Sequence, residues 1–221
     1  ALAVALGLTV LAATPASADI TAPANGATLR GNATLSSSGA SDGSLCVNAS
    51  KPRTILSLVN SANATVVTQT KNDSGAFSYT IDTHSYPNGS YTVRSEERRR
   101  SGTLYCSNST STFTRNVTID NHVELDYTGA TSAPQNTTAT VSAKLTDPNL
   151  SGNVLPNRPV VFSITGGATV TANTNAQGVA TATLPIGGPP RSATVSAAFV
   201  TTAYYRGATV SVPFAVTKNA S

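Results

Sequence analysis

Three groups of residues in this 221-residue chain have types that could do chemistry. The first is its only pair of cysteines, Cys46 and Cys106, which lie 106 − 46 = 60 positions apart. Two thiols close a disulfide in an oxidising compartment, and otherwise stay free or pair with another chain. The second group is a pair of Asp-x-His triplets, Asp82-Thr83-His84 and Asp120-Asn121-His122, which hold both histidines. Carboxylate oxygens suit Ca²⁺ and a His pair suits Zn²⁺. Neither triplet belongs to a ligand run of fixed spacing, so solvated turn residues are the plainer reading, and no metal or other cofactor is expected. The third group is the charge run Glu96-Glu97-Arg98-Arg99-Arg100, followed by Tyr105. Its guanidinium forks match the phosphate or carboxylate groups of a wall polymer or an acidic glycan. The plainer reading is an extended hairpin whose alternating charges keep a sheet edge soluble.

Catalysis would need a nucleophile with a base and an orienter, or two carboxylates across a cleft. Serines are abundant, but none sits in a nucleophile elbow, and no acidic pair is placed for the task. The chain is therefore not expected to be an enzyme. Leu184-Pro185-Ile186-Gly187-Gly188 is similar to a cell-wall sorting signal, but it lacks the Thr and has no apolar tail, so it reads as a turn. The net charge of +4 divides evenly, with nine Lys/Arg against seven Asp/Glu over 19–121 and five against three over 122–221. A surplus of two per half is too dilute for nucleic acid, which calls for a concentrated basic face.

The elements that must position these residues are strands. Ala139, Val141, Ala143 and Leu145 alternate with Thr138, Thr140, Ser142 and Lys144, the period of a half-buried antiparallel strand. Similar runs follow at Val160-Phe162-Ile164, Ala193 to Phe199 and Val210 to Val216. In the first half, strands are expected near 28–35, 54–59, 65–69, 77–83, 90–95 and 113–119, separated by turns such as Asn72-Asp73-Ser74-Gly75 and Pro87-Asn88-Gly89. Only 11% of residues are charged and 5% aromatic, and Thr, Ser, Ala, Asn and Gly dominate, a composition for strands and turns. Residues 1–18 read as the rear of a signal peptide truncated at its start. An apolar stretch leads into Ala16-Ser17-Ala18, with cleavage expected before Asp19. No second apolar run follows, so no membrane span is expected in the mature chain, which would be secreted or held at a bacterial cell surface.

Pro87-Asn88-Gly89-Ser90-Tyr91-Thr92-Val93 resembles the tyrosine corner of immunoglobulin-like domains, which makes Tyr91 and Gly89 structural. The second half resembles the bacterial immunoglobulin-like (Big) domains of invasin- and intimin-type surface proteins. The resembling residues are Leu125-Asp126-Tyr127-Thr128-Gly129, Arg158-Pro159-Val160-Val161-Phe162-Ser163-Ile164, Thr174-Asn175-Ala176-Gln177-Gly178-Val179-Ala180, and Phe199 with Tyr204, Tyr205 and Phe214-Ala215-Val216. Gly178 is the turn residue of that pattern. The first half resembles another bacterial immunoglobulin-like subtype through Ile20-Thr21-Ala22-Pro23-Ala24-Asn25-Gly26 and the Tyr91 corner.

The resemblance implies an all-β protein with two tandem immunoglobulin-like sandwiches, 19–121 and 122–221, joined so tightly that a semi-rigid rod is expected. It carries no catalytic residues and implies an adhesion, spacer or accessory role. Its partners would be other surface proteins, extracellular glycans or wall polymer. With Tyr91 on strand F, Cys106 falls in the F to G loop and Cys46 in the B to C loop, at one end of the sandwich. A disulfide there would staple two long loops, the second beginning with the run Glu96 to Arg100. Arg98, Arg99, Arg100 and Tyr105 would be its ligand contacts. The Asp-x-His triplets would lie at the opposite pole.

Overall fold

The computed structural model describes residues 19–42, 50–102, 105–149 and 153–219. The stretch 1–18, read above as a signal peptide, lies outside them, as does Cys46. Among the described residues the only helical segment is one 3-10 turn, Thr83–Ser85, and the other regular elements are strands.

The first series comprises β1 (Ile20–Ala22), β2 (Ala27–Leu29), β3 (Asn32–Ser37), β4 (Arg53–Asn60), β5 (Thr65–Lys71), β6 (Phe77–Asp82), β7 (Gly89–Ser101) and β8 (Ser107–Ile119). They form a three-stranded sheet, β1-β3-β6, and a five-stranded sheet, β2-β8-β7-β4-β5. The second series comprises β9 (Glu124–Tyr127), β10 (Ser132–Pro134), β11 (Thr137–Asp147), β12 (Asn153–Val154), β13 (Pro159–Ile164), β14 (Thr169–Asn173), β15 (Val179–Ile186), β16 (Arg191–Phe199) and β17 (Ala208–Thr217). Here β9, β11, β12 and β15 form one sheet, and the order β10-β17-β16-β13-β14 forms the other.

The two series share one plan. The leading strand lies antiparallel on the first sheet, as β1 on β3 and β9 on β11. The chain then crosses over, and the next strand lies parallel on the last strand of the other sheet, as β2 on β8 and β10 on β17. Two sheets of this order make an immunoglobulin-like sandwich, here present twice.

By internal contacts the chain forms two compact units: Ala1–Ala24 with Leu35–Tyr79 and Thr92–Arg115, and Asn25–Thr34 with Thr80–Tyr91 and Asn116–Ser221. Within the first, Ile20, Leu35, Leu56, Leu58 and Val93 are fully buried. The second has the larger core, built from the expected period-two rows: Val141, Ala143 and Leu145 of β11, Val160 and Phe162 of β13, and Val195 and Ala197 of β16. Each large side chain moved out of water there contributes about 2 kcal/mol before chain entropy is counted.

Two departures from the sequence expectation affect the candidate sites. The strand expected over 28–35 is two strands, broken at Arg30 and Gly31. The strands expected over 90–95 and 113–119 are each 13 residues long, so Glu96 to Arg100 lie on β7 rather than in a loop, and only 102–106 remain between β7 and β8. The alternation continues along β7 while its chemistry changes. The inward row reads Tyr91, Val93, Ser95, Glu97, all buried. A hydrophobic pattern cannot mark a row whose last two members are polar.

Candidate functional site

In the first unit, the run on β7 is engaged internally. Arg98 donates from Nε and a terminal nitrogen to the Lys51 carbonyl oxygen, at 3.2 and 2.8 Å. Arg99 lies 3.4 Å from Glu97 Oε2, with its guanidinium carbon 5.9 Å from the Phe113 ring centroid. Arg100 donates through Nε to Asp42 Oδ1 at 3.0 Å and through a terminal nitrogen to Oδ2, and this hydrogen bonding raises its pKa further. Glu97, with a fully buried side chain, accepts from the Ser37 hydroxyl at 2.5 Å and the Ser95 hydroxyl at 3.2 Å. Tyr105, by contrast, is 81% exposed in the turn after β7. Cys106 closes that turn and carries no free thiol.

In the second unit, the Asp-x-His triplets do not form a shared ligand set. His84 Nδ1 lies 2.8 Å from Asp82 Oδ1, and Nε2 lies 2.6 Å from Asp147 Oδ2. The Asp82 contact is a hydrogen bond, and Asp82 also caps the 3-10 turn by accepting from the His84 amide. The Asp147 contact is short but off the ring's donor direction, so the two buried atoms approach closely without making a hydrogen bond. Asp147 is wholly buried, and its Oδ1 accepts from the Asn149 amide at 2.8 Å. The His84 ring stacks on Tyr205 with centroids 5.5 Å apart, and the Arg158 guanidinium carbon lies 5.7 Å from the Tyr205 centroid. Burial, then the charge of Asp147, pushes the Tyr205 phenol above its ordinary pKa.

The second triplet is arranged differently. Asp120 accepts from Arg30 through Oδ2 at 2.9 Å and from Arg206 through Oδ1 at 2.6 Å. These hydrogen bonds, that of Arg30 foremost, hold its carboxyl below the usual carboxylate range. Asn121 is fully buried. Its Oδ1 accepts from the Thr83 hydroxyl at 2.6 Å, its side-chain amide donates to the Thr83 and Tyr204 carbonyls, and its backbone exchanges hydrogen bonds with the Asn88 side chain. His122 pairs with Arg206 by a single parallel bridge.

The two nitrogens of an imidazole point away from each other, so Asp82 and Asp147 cannot converge with His84 on one ion. Among the described residues no group of three or more acidic, His or Cys side chains is placed to hold a metal. His84 is hydrogen-bonded through Nδ1 to Asp82, and its Nε2 faces the buried Asp147.

Tyr91, Gly89 and Gly178 lie at or beside turns. The Tyr91 hydroxyl donates to the Pro87 carbonyl at 2.8 Å, the bond of a tyrosine corner, and Gly89 starts β7 with φ at +151°. Gly178 has φ at +73° and donates its amide to Asn175 O at 2.9 Å. Sequence reasoning missed Asp147 and Arg206, and placed Glu97 in a loop where the structure buries it on a strand. Nothing local marks a side chain whose partner lies 60 or more positions away.

No family model and no curated relative matches the chain. Among solved structures, a tetra-tandem repeat from the extending region of a large adhesion protein is similar at 19% identity and a TM-score of 0.44, over 92% of this chain and 50% of the other. A 1.5-MDa bacterial ice-binding adhesin gives 15% and 0.34, over 86% and 59%. The FN1–FN3 domains of chicken CNTN1 give 9% and 0.28, over 90% and 64%. The chain thus spans between half and just under two thirds of these structures, and its immunoglobulin-like assignment rests on its own strand order.

Proposed function

We propose that this chain is a non-catalytic, exported tandem immunoglobulin-like protein acting as an adhesion and spacer module at a bacterial cell surface or outside the cell. Its modules would be 19–121 and 122–221, and its partners other surface proteins or extracellular glycans. The observation that carries the reading is Asn121. It lies in the short segment from β8 to β9, with its side chain buried and hydrogen-bonded at both ends. A connection satisfied in this way resists opening, because each freed polar group would have to find another partner. A spacer needs such a connection. Export is supported by the small-residue signal ahead of Asp19.

The test is small-angle scattering together with adhesion. Wild type should give one narrow distance distribution that broadens in Asn121→Gly, and beads coated with the chain should attach to bacterial or host cells above an albumin control. An unchanged distribution in the variant removes the spacer role, and attachment no better than albumin removes the adhesive one.

A second reading, in which Arg98, Arg99, Arg100 and Tyr105 bind glycan or wall polymer, is favoured by the exposure of Tyr105 alone. Equal retention of wild type and Tyr105→Ala on purified wall polysaccharide would remove it.

A further inference from the structure

Beside the segment 200–207, between β16 and β17, the second unit carries a cleft of about 390 Å³. Ile119 lies beneath it, and Thr118, Thr201 and Thr202 line it together with Arg206. Arg206 is 65% exposed but not loose. One terminal nitrogen is held 2.6 Å from Asp120 Oδ1, and its backbone amide donates to the Asn121 carbonyl at 2.8 Å. Asp120 gives its other oxygen to Arg30. Two guanidinium groups therefore share one carboxylate, leaving one positive charge uncompensated in the cluster. Among the described residues, the rest of the Arg206 fork has no hydrogen-bond partner.

The threonines are also prepared. Thr201 Oγ1 accepts from the Gly207 amide at 3.0 Å, and Thr202 Oγ1 accepts from the Tyr204 and Tyr205 amides at 3.3 and 3.1 Å. Each oxygen is fixed as an acceptor, so each hydroxyl hydrogen remains to donate. Among the described residues the Thr118 hydroxyl, on the exposed side of β8, has no hydrogen-bond partner.

We propose that this cleft binds a sugar acid, a polyol ring bearing a carboxylate. The carboxylate would take the free edge of the Arg206 fork, the pairing for which a planar guanidinium is suited. The ring hydroxyls would meet Thr118, Thr201 and Thr202. The cleft volume is at the lower end of small-ligand sites, enough for one or two sugar rings. Asp120 already restrains the arginine, so binding has less side-chain freedom to remove.

The test is calorimetric titration of the whole chain with a galacturonate pentasaccharide, a neutral glucose pentasaccharide and inorganic sulfate. The galacturonate should bind at least tenfold more tightly than either other probe. Arg206→Ala should weaken it at least tenfold, and Arg206→Lys and Thr118→Val severalfold. The last two keep the charge and the shape, so they decide the matter if Arg206→Ala alters the fold, which a thermal melt would reveal. Equal binding of acidic and neutral sugars, sulfate binding as tight as galacturonate, unchanged affinity in Arg206→Lys and Thr118→Val, or no binding of galacturonate would each overturn the proposal. None of these readings depends on adhesion or on the spacer role.

Discussion

At the scale of single residues, His84 Nε2 lies 2.6 Å from a carboxylate oxygen of Asp147, the one acidic group of its cluster that water does not reach. Removing one partner of a buried pair leaves an uncompensated charge, which costs far more than the pair contributes when intact. His84→Ala should therefore lower unfolding stability by about 3 kcal/mol. Adding Asp147→Asn, which keeps an oxygen for the Asn149 amide but removes the charge, should recover most of the loss. Urea unfolding of the two single variants and the double checks this, and additive losses would count against the coupling. Asp120 gives a second prediction. Its folded pKa is lowered, so its stabilisation is present above the unfolded value, about 3.9, and fades as the pH falls through the folded value. Melting temperatures measured from pH 7 down to 2 should fall in wild type below about pH 4, and Asp120→Asn should start lower and show a shallower acid limb.

At the scale of elements, turns and strand ends decide which side chains meet. A Cβ on Gly178 would come within 2.7 Å of the Leu145 carbonyl oxygen and of Val154 Cβ, and φ is +73°. Backbone strain and collision act together there, so Gly178→Ala should cost about 2 kcal/mol, read from the urea midpoint. That turn was legible because Asn175 to Gly178 lies between two apolar runs. The full length of β7 and β8 was not. Beyond Ser95 the hairpin continues through Glu97, paired to Arg99 and two serines, and through Arg100, paired to Asp42. A row of paired charges and hydroxyls continues the strand but leaves no period of hydrophobicity to read.

At the scale of the whole molecule, the two cysteines would close a large loop. Cys106 carries no free thiol, and we propose Cys46, the other cysteine of the sequence, as its partner. We expect thiol titration of the denatured, unreduced protein to find none, and reduction to destabilise it by roughly 4 kcal/mol, as the chain-entropy model gives for a loop near 60 residues. Two reactive thiols would contradict the pairing.

Local information was enough for much of this molecule. The period-two rows, the turn glycines and the Tyr91 corner depend on residues within a few positions of each other, where steric and hydrophobic preferences act directly. Only the tertiary structure decided the partners of charge. Asp82 and His84 meet Asp147, and Asp120 joins Arg30 to Arg206. Each pair depends on strand register over long stretches of chain, and a charged residue in sequence gives no sign of whether its partner is water or another side chain.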